Sequence, residues 1–230
     1  GRSGSPEAAL SSPAIYSTAA IRVQNATLTA NTSEAVVVEG KNSVELTDCA
    51  LTGNMAASAD GSENVHNIML YQSMSGDAEV GHSSFAATGG SITAKQGDMF
   101  YVTNTTCTIS LTNVALTLAN GNLLTVAGNT SARGWGEQGK NGGTCTFTVS
   151  SQRLAGAISV DAISSLKLIL ADGSAFSGTI NASGTAGEVA VTLCDGCRWD
   201  LTGDSYISSF TGDVSTIVTN GFTVYAGGEA

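Results

Sequence analysis

Positive charge, proline and aromatic residues are all scarce in this 230-residue chain, which has 9 Lys and Arg against 19 Asp and Glu, 2 Pro, and 6% aromatic residues. The formal net charge of -10 argues against nucleic acid or an anionic membrane surface as a partner, because both are bound by clustered Lys and Arg. No apolar run approaches the ~20 residues that a membrane-spanning helix needs. We therefore expect no nucleic-acid partner and no membrane insertion.

Helix-forming residues are also few, whereas 28 Gly and many Ser, Thr and Asn favour short strands joined by tight turns. The five cysteines are an odd number, so at least one thiol is unpaired. Residues 1–13 open with Gly and Ser and are interpreted as an N-terminal linker or cap. Residues 14–230 are interpreted as one domain, because elongated all-β domains of this length are commonly single.

A nine-residue phrase occurs five times along the chain. Each copy has apolar residues at its first, third and eighth positions, and a residue at its fifth position that tolerates a left-handed backbone or a bend. These fifth residues are Asn25, Asp48, Gly89, Asn113 and Ser151. Another short apolar stretch precedes each copy, so the pattern predicts three short strands per repeat. The copies read IRVQNATLT from Ile21, VELTDCALT from Val44, FAATGGSIT from Phe85, ISLTNVALT from Ile109 and FTVSSQRLA from Phe147.

The spacing of the copies predicts the fold. They start 23, 41, 24 and 38 residues apart, so the basic period is about 23 residues, with extra residues in two repeats. A three-strand coil of this length suits a parallel β-helix, in which each strand bonds to its equivalent ~4.8 Å away. Because parallel crossovers are right-handed, we predict an all-β, single-stranded right-handed parallel β-helix (a β-solenoid) of about eight coils. One inward column should contain Leu28, Leu51, Ile92, Leu116 and Leu154.

Four of the cysteines occupy informative positions. Cys107 and Cys145 occur at the same place in adjacent repeats, and the ~4.8 Å between coils exceeds the ~3.8 Å Cβ separation that a disulfide prefers. We therefore expect Cys107 and Cys145 to be stacked free thiols. Cys194 and Cys197 flank Asp-Gly at a turn, where we expect a local disulfide.

Two stretches, ENVHNIMLYQSMSGDAEVGHSSF and WDLTGDSYISSFTGD, resemble recurring phrases of the right-handed parallel β-helix domains of adhesin-like surface proteins of gut bacteria. The resemblance covers most of residues 14–225. It implies an extracellular, cell-surface location, a parent protein anchored in the cell wall, and a role in attachment or glycan contact, but it supplies no catalytic residues. Pectin-degrading enzymes share the fold type, yet only Gly81 to Ser83 is similar to one of their motifs, and the chain has no adjacent acidic pair.

The extra residues fall in three loops, which read GNMAASADGSENVH (53–66), QSMSGDAEVGHSS (72–84) and AGNTSARGWGEQGKNGG (127–143). The second and third loops should leave the coil at the same corner, one plain turn apart, with a groove between them floored by Asn104 and Thr105. An aromatic ring among planar polar side chains is typical of a sugar site. The walls of this groove would contain Arg133, Trp135, Glu137, Gln138 and Lys140 on one side, and Met74, Asp77, Glu79 and His82 on the other.

The predicted ligand-binding residues are therefore Asn104, Asp77, Glu79, His82, Arg133, Trp135, Glu137 and Gln138. The leading hypothesis is a non-enzymatic, secreted adhesive module whose partner is a glycan or a host surface protein, without catalytic residues, cofactor or metal.

Alternatives to this hypothesis stay open. One is a pectin-lyase-type polysaccharide lyase or glycoside hydrolase that uses Asp77, Glu79 or Glu137 with Arg133. Another is a spacer with no ligand. In addition, Trp135 either contacts a ligand or folds back onto the rod and pins its loop, with Arg133 pairing with Glu137.

Overall fold

The computed structural model describes residues 12–58, 61, 63–130, 134–184 and 187–227. The predicted linker, residues 1–13, lies almost entirely outside these ranges. The described residues are nearly all β, with a single 3-10 turn at Val214–Thr216, and they contain no helix of the length and apolarity that crossing a membrane requires. The strands in chain order are β1 (Ile15–Ser17), β2 (Ala20–Gln24), β3 (Thr27–Thr29), β4 (Val36–Glu39), β5 (Ser43–Thr47), β6 (Ala50–Gly53), β7 (His66–Tyr71), β8 (His82–Thr88), β9 (Ser91–Ala94), β10 (Asp98–Thr103), β11 (Thr106–Thr112), β12 (Ala115–Thr117), β13 (Asn122–Val126), β14 (Thr144–Ser150), β15 (Arg153–Val160), β16 (Ser165–Ala171), β17 (Ala175–Ile180), β18 (Glu188–Leu193), β19 (Arg198–Leu201), β20 (Ser205–Ile207), β21 (Ser209–Thr211), β22 (Ile217–Val218) and β23 (Val224–Ala226).

The strands form parallel sheets in a repeating order. Sheet 1 runs β1-β4-β7-β10-β13-β15-β17-β19-β22, sheet 2 runs β2-β5-β8-β11-β14-β16-β18-β21, sheet 3 runs β3-β6-β9-β12, and β20 pairs with β23. Every pairing between the described strands is parallel. Up to β13 the chain therefore returns to the same sheet every third strand, which is consistent with a β-solenoid.

The corners that follow the strands of sheet 2 have the backbone that the repeat predicts. Asn25, Asp48, Asn113 and Ser151 all have φ between 50° and 52°, and Gly89 at the equivalent position has φ 66°. Asn and Asp tolerate this left-handed conformation better than other residues with a Cβ atom. The prediction of a bend at the fifth position of each copy is confirmed.

The predicted inward column is correct for four of its five residues. Leu28, Leu51, Ile92 and Leu116 are in register on neighbouring strands of sheet 3. Leu154 instead pairs with Phe176 in sheet 1, so its placement in this column is wrong.

A buried side chain explains why sheet 3 ends at β12. The Gln152 side chain accepts a hydrogen bond from the Val114 N–H at 2.7 Å and donates one to the Val114 carbonyl at 2.7 Å. It occupies the position that the backbone of a further strand would take, and β15 joins sheet 1 instead.

The core between the sheets consists of stacked apolar side chains. Phe100 lies between Phe85 and Phe147, with ring centroids 6.0 Å and 5.8 Å away, and all three rings are buried. Such tilted pairs add to the stabilisation that apolar burial provides.

The cysteines follow the same alternation of inward and outward positions. Cys107 and Cys145 are in register on β11 and β14, and both are free and buried, as expected. A hydrogen bond with Cys145 and burial raise the pKa of the Cys107 thiol well above its usual value. The expected Cys194–Cys197 disulfide is wrong, because Cys197 is buried while Cys194 is exposed, and both thiols are free.

Candidate functional site

The outer face of sheet 1 is covered, unlike most outward faces of the molecule. Every residue of β4, β7 and β10 is buried, which requires packing on both faces of these strands. Val37, Met69, Tyr71 and Tyr101 form a cluster on the outer face, and Trp135 packs against it. The Trp135 ring lies 4.6 Å from the Tyr71 ring, centroid to centroid, at an interplanar angle of 54°.

The loop between Val126 and Thr144 is therefore folded back onto sheet 1, as the second interpretation of Trp135 anticipates. Two amides fix it: Asn129 Nδ2 donates to the Trp135 carbonyl at 2.8 Å and to Thr103 Oγ1 at 3.1 Å, and Asn141 Nδ2 donates to the same carbonyl at 3.0 Å. Gly136 has φ 73°, and a Cβ atom there would lie 2.4 Å from Asn104 Oδ1, so only glycine allows this close approach.

A cleft of about 530 Å³ opens on this face of the molecule, and we name it the aromatic cleft. Tyr16, Tyr71 and Trp135 supply aromatic rings to it, and Glu34 and Glu63 supply carboxylates. Tyr16 is 48% exposed, so its ring is available at the mouth. Residues 55–58 of the loop between β6 and β7 also line the cleft.

A buried carboxylate holds the tyrosine rings in place. Glu39 is buried and accepts hydrogen bonds from the Tyr16 hydroxyl and from Ser73 Oγ. The Tyr16 and Tyr71 hydroxyl oxygens are 2.7 Å apart. Burial, together with the hydrogen bond to Glu39, raises the pKa of Tyr16 to about 12, and burial raises the pKa of Tyr71 further. Both tyrosines are therefore protonated at neutral pH and act as hydrogen-bond donors within the network.

A smaller cavity of about 150 Å³ lies on the same face of sheet 1, and we name it the inner cavity. Asn64, His66, Tyr101, Asn129 and Trp135 are among the residues that line it. His66, Trp135 and Glu63 line the aromatic cleft as well, so the two spaces are adjacent.

The carboxylate of Asp98 fixes the side chains around the inner cavity. It accepts hydrogen bonds from the amides of Asn64, Asn120 and Asn122 at 3.0, 3.1 and 3.0 Å, and from Thr125 Oγ1 at 2.7 Å. Burial alone would raise the pKa of the Asp98 carboxyl group. The four hydrogen bonds outweigh burial and lower this pKa below its usual value. Asp98 is thus a permanent negative charge near the cavity.

The groove predicted over Asn104 and Thr105 is present and has a volume of about 720 Å³; we name it the polar groove. Met74 and His82 line one wall, as predicted, and Gly142 lies on the side of the third loop. His82 is exposed and its Nε2 is 2.8 Å from Thr108 Oγ1. His66 and His82 begin β7 and β8 rather than lying in loops.

Other predicted wall residues lie away from the polar groove. Trp135 packs on Tyr71 rather than in the wall of the polar groove, because the apolar outer face of sheet 1 can bury an indole ring. Glu79 pairs with Lys41 at 3.0 Å, and Glu137 pairs with Lys140 at 2.9 Å, all four side chains being exposed. Asp77 and Gln138 are exposed and line neither the aromatic cleft nor the polar groove.

Arg133, and with it the expected Arg133–Glu137 pair, lies outside the described residues. Among those that are described, no group of three His, Cys, Asp or Glu residues is arranged to hold a metal ion.

Sequence reasoning missed Tyr16, His66, Tyr71 and Tyr101 as site residues. The available signal was the strands NIMLY and MFYV, which are apolar at both inward and outward positions. A strand with two apolar faces in a solenoid must be covered on its outer side. Comparisons of the chain with protein-family models, with curated proteins and with solved structures give no match.

Proposed function

We propose that this protein is a non-catalytic, glycan-binding module of an adhesin-like surface protein, and that the aromatic cleft binds the glycan. The observation that carries the proposal is the cleft itself, which is lined by the rings of Tyr16 and Trp135 and by the side chains of Glu34 and Glu63. Aromatic rings cover the apolar face of a sugar, and nearby carboxylates accept hydrogen bonds from its hydroxyl groups.

The fold that presents this cleft is proposed to be a right-handed, single-stranded parallel β-helix of about eight coils of about 23 residues. The recurring strand order supports the coil, and the strong preference of parallel crossovers supports the hand. A rod of this kind holds the loops between β6 and β7 and between β13 and β14 at fixed positions, which suits a surface that meets a ligand outside the cell.

The polar groove is a second contact region in this proposal. Asn104 and His82 lie there, as the sequence predicts for ligand-binding residues, and the exposed Met74 provides apolar surface beside them. Location at the cell surface, anchoring of the parent protein in the cell wall, and gut bacteria as the source are supported by the resemblance of two stretches to adhesin-like domains. A host surface protein is the other partner that this resemblance suggests.

Catalysis by the carboxylates considered for a lyase or hydrolase is less favoured. Glu79 and Glu137 are each paired with a lysine of their own surroundings. A glycoside hydrolase needs two carboxylates on opposite sides of one scissile bond. Neither Glu79 nor Glu137 lines the aromatic cleft or the polar groove, so the proposal assigns them no catalytic role.

A glycan array followed by calorimetry with the best ligand tests the proposal. Tyr16→Ala should weaken binding ~10-fold or more, equivalent to ~1.4 kcal/mol, because a ring at the mouth of the cleft is lost. Phe222→Ala is the matched control, because Phe222 is an aromatic residue of similar exposure, 40%, that lies outside the cleft.

Three results would contradict the proposal. Equal affinity of the wild type and the Tyr16→Ala variant would remove the cleft from the binding site. Release of reducing ends or unsaturated sugars from the bound glycan would show an enzyme instead. Binding of host surface proteins without any glycan binding would indicate that the partner is a protein and not a glycan.

A further inference from the structure

The inner cavity contains three hydrogen-bond acceptors that no group of the protein satisfies. They are Asn64 Oδ1, His66 Nε2 and Asn129 Oδ1, and all three atoms are buried. Their side chains line the same cavity of about 150 Å³. A buried polar atom without a partner is costly, commonly by ~1–3 kcal/mol, and a set of three around one cavity points to a ligand.

The surrounding contacts fix each of these atoms as an acceptor. Asn64 Nδ2 faces the Asp98 carboxylate at 3.0 Å, and Asn129 Nδ2 faces the Trp135 carbonyl at 2.8 Å. Since carboxylates and carbonyls only accept, the amide nitrogens occupy these positions and the amide oxygens face away from them.

The same reasoning fixes the tautomer of the histidine. His66 Nδ1 is 2.8 Å from the Asn64 carbonyl, so Nδ1 carries the proton. Burial lowers the pKa of His66, although the carboxylates of Glu34 and Asp98 act in the opposite direction. The ring is therefore neutral near pH 7, and Nε2 presents a lone pair.

The electrostatic surroundings favour a cation in this cavity. Asp98 is charged at neutral pH and accepts hydrogen bonds from Asn64 and Thr125, whose side chains line the cavity. The rings of Tyr101 and Trp135 also line it, and aromatic faces attract ammonium groups. The net charge of -10 adds a long-range attraction for cations.

We propose that the inner cavity binds a primary ammonium group, and that the glycan recognised by this protein carries free amino sugars. An ammonium group has three N–H donors for three acceptors, whereas water supplies two donors and a hydroxyl group one. A divalent metal ion fits less well, since zinc favours Cys, His and carboxylate ligands and calcium an all-oxygen set.

This inference rests on the proposed function for the source of the amine. His66, Trp135 and Glu63 line both the aromatic cleft and the inner cavity, so a sugar stacked in the cleft is adjacent to the site of its amino group. The sugar ring and its ammonium group would thus both be bound beside Trp135.

Calorimetric titrations of the wild type with three matched tetrasaccharides test the inference. They are a β-1,4-linked glucosamine tetramer, its fully N-acetylated form and the corresponding glucose tetramer. The glucosamine tetramer should bind ~10-fold or more tightly than the other two, because acetylation removes the charge and two of the three donors. Titration in ~1 M salt, where the Debye length is ~3 Å, removes the general attraction of an acidic protein for a polycation.

Two variants assign the effect to the cavity. His66→Phe keeps a ring and removes Nε2, and Asn64→Leu removes Oδ1 with little change in volume. Each should reduce the affinity for the glucosamine tetramer to that for the acetylated tetramer, with the wild-type unfolding midpoint retained in at least one of them. Trp135 fluorescence should change on binding, while Trp199, which is fully buried in the core, serves as an internal constant signal.

The outcomes separate this inference from the proposed function. Equal binding of all three tetramers, or a preference for glucosamine that salt abolishes and neither variant changes, overturns the ammonium site and leaves glycan binding standing. If no tetramer binds but the amide of Nα-acetyl-lysine does, in a manner that depends on His66, the ammonium site stands and its link to an amino-sugar glycan fails. No binding of any of these compounds overturns the ammonium site, whereas the glycan array decides the proposed function separately.

Discussion

Replacing Gln152 by Leu should destabilise the protein by far more than a surface substitution does. Gln152 is 1% exposed, and its side-chain amide makes three hydrogen bonds with backbone groups. It bonds the Val114 N–H and carbonyl at 2.7 Å each and the Arg153 carbonyl at 3.0 Å. Leu fills nearly the same volume and can make none of these bonds.

The magnitude follows from the two Val114 groups that lose their partner. Each buried, unsatisfied backbone group costs ~1–3 kcal/mol, and the added apolar surface of Leu returns ~1–2 kcal/mol. The two groups together lose ~2–6 kcal/mol, so the expected net loss in the free energy of unfolding is ~1–4 kcal/mol, centred near ~2.5 kcal/mol. The same side chain bonds the backbone just before β12, the last strand of sheet 3.

Urea denaturation followed by tryptophan fluorescence measures this loss. With a urea slope of ~2–3 kcal/mol per molar, a loss of ~2.5 kcal/mol lowers the midpoint by ~1 M. Gln138→Leu is the matched control, because Gln138 is exposed and the chemical change is the same. A Gln152→Leu midpoint within ~0.3 M of the control corresponds to a stability difference below ~1 kcal/mol at this slope. Such a result would show that the Gln152 side chain does not stabilise the fold through Val114.

The remaining predictions concern the tyrosine network, the thiols and the pinned loop. The pKa of Tyr16 is raised from 10.0 to about 12 in the folded protein. The contribution of Tyr16 to the free energy of unfolding is therefore fully present below pH 10 and is lost as the pH rises towards 12. Because Tyr16 is half-exposed, solvent screening limits this loss to ~1–2 kcal/mol. Urea midpoints measured across this range should fall less steeply in Tyr16→Phe, and parallel curves would exclude the network as the cause. A thiol reagent should modify one cysteine in the native protein, Cys194, because the other four are buried, and mass spectrometry that finds a second fast label would contradict this. Trp135→Ala should speed proteolysis between residues 127 and 143 by ~10-fold, because a ring contact worth ~0.5–1.5 kcal/mol and its apolar burial are lost. Trp135→Phe should have a smaller effect. Equal cleavage of the wild type and Trp135→Ala would show that the ring does not pin the loop.

Local repetition carries the parts of the fold that sequence reasoning predicts correctly. Asn25, Asp48 and Asn113 mark corners because few residues tolerate a positive φ, and the register of Cys107 with Cys145 follows from the spacing of the copies. The polar groove follows from the same counting, since it depends only on which corner each loop leaves.

Tertiary contacts determine the parts that it misses. Leu154 occupies the right position in its repeat, but the long-range bonds between Gln152 and Val114 remove the strand partner that the column needs. Trp135 lies in a loop whose path depends on the apolar face of sheet 1, made by strands distant in sequence. Periodicity places a loop at a corner, but it does not indicate the direction in which the loop folds.

The most direct test of the account is a crystal structure of the protein with a bound glucosamine oligosaccharide. We predict density for a sugar ring between Tyr16 and Trp135, with its amino group among Asn64, His66 and Asn129. Sugar density over Asn104 in the polar groove, with the aromatic cleft empty at saturating ligand, would contradict it.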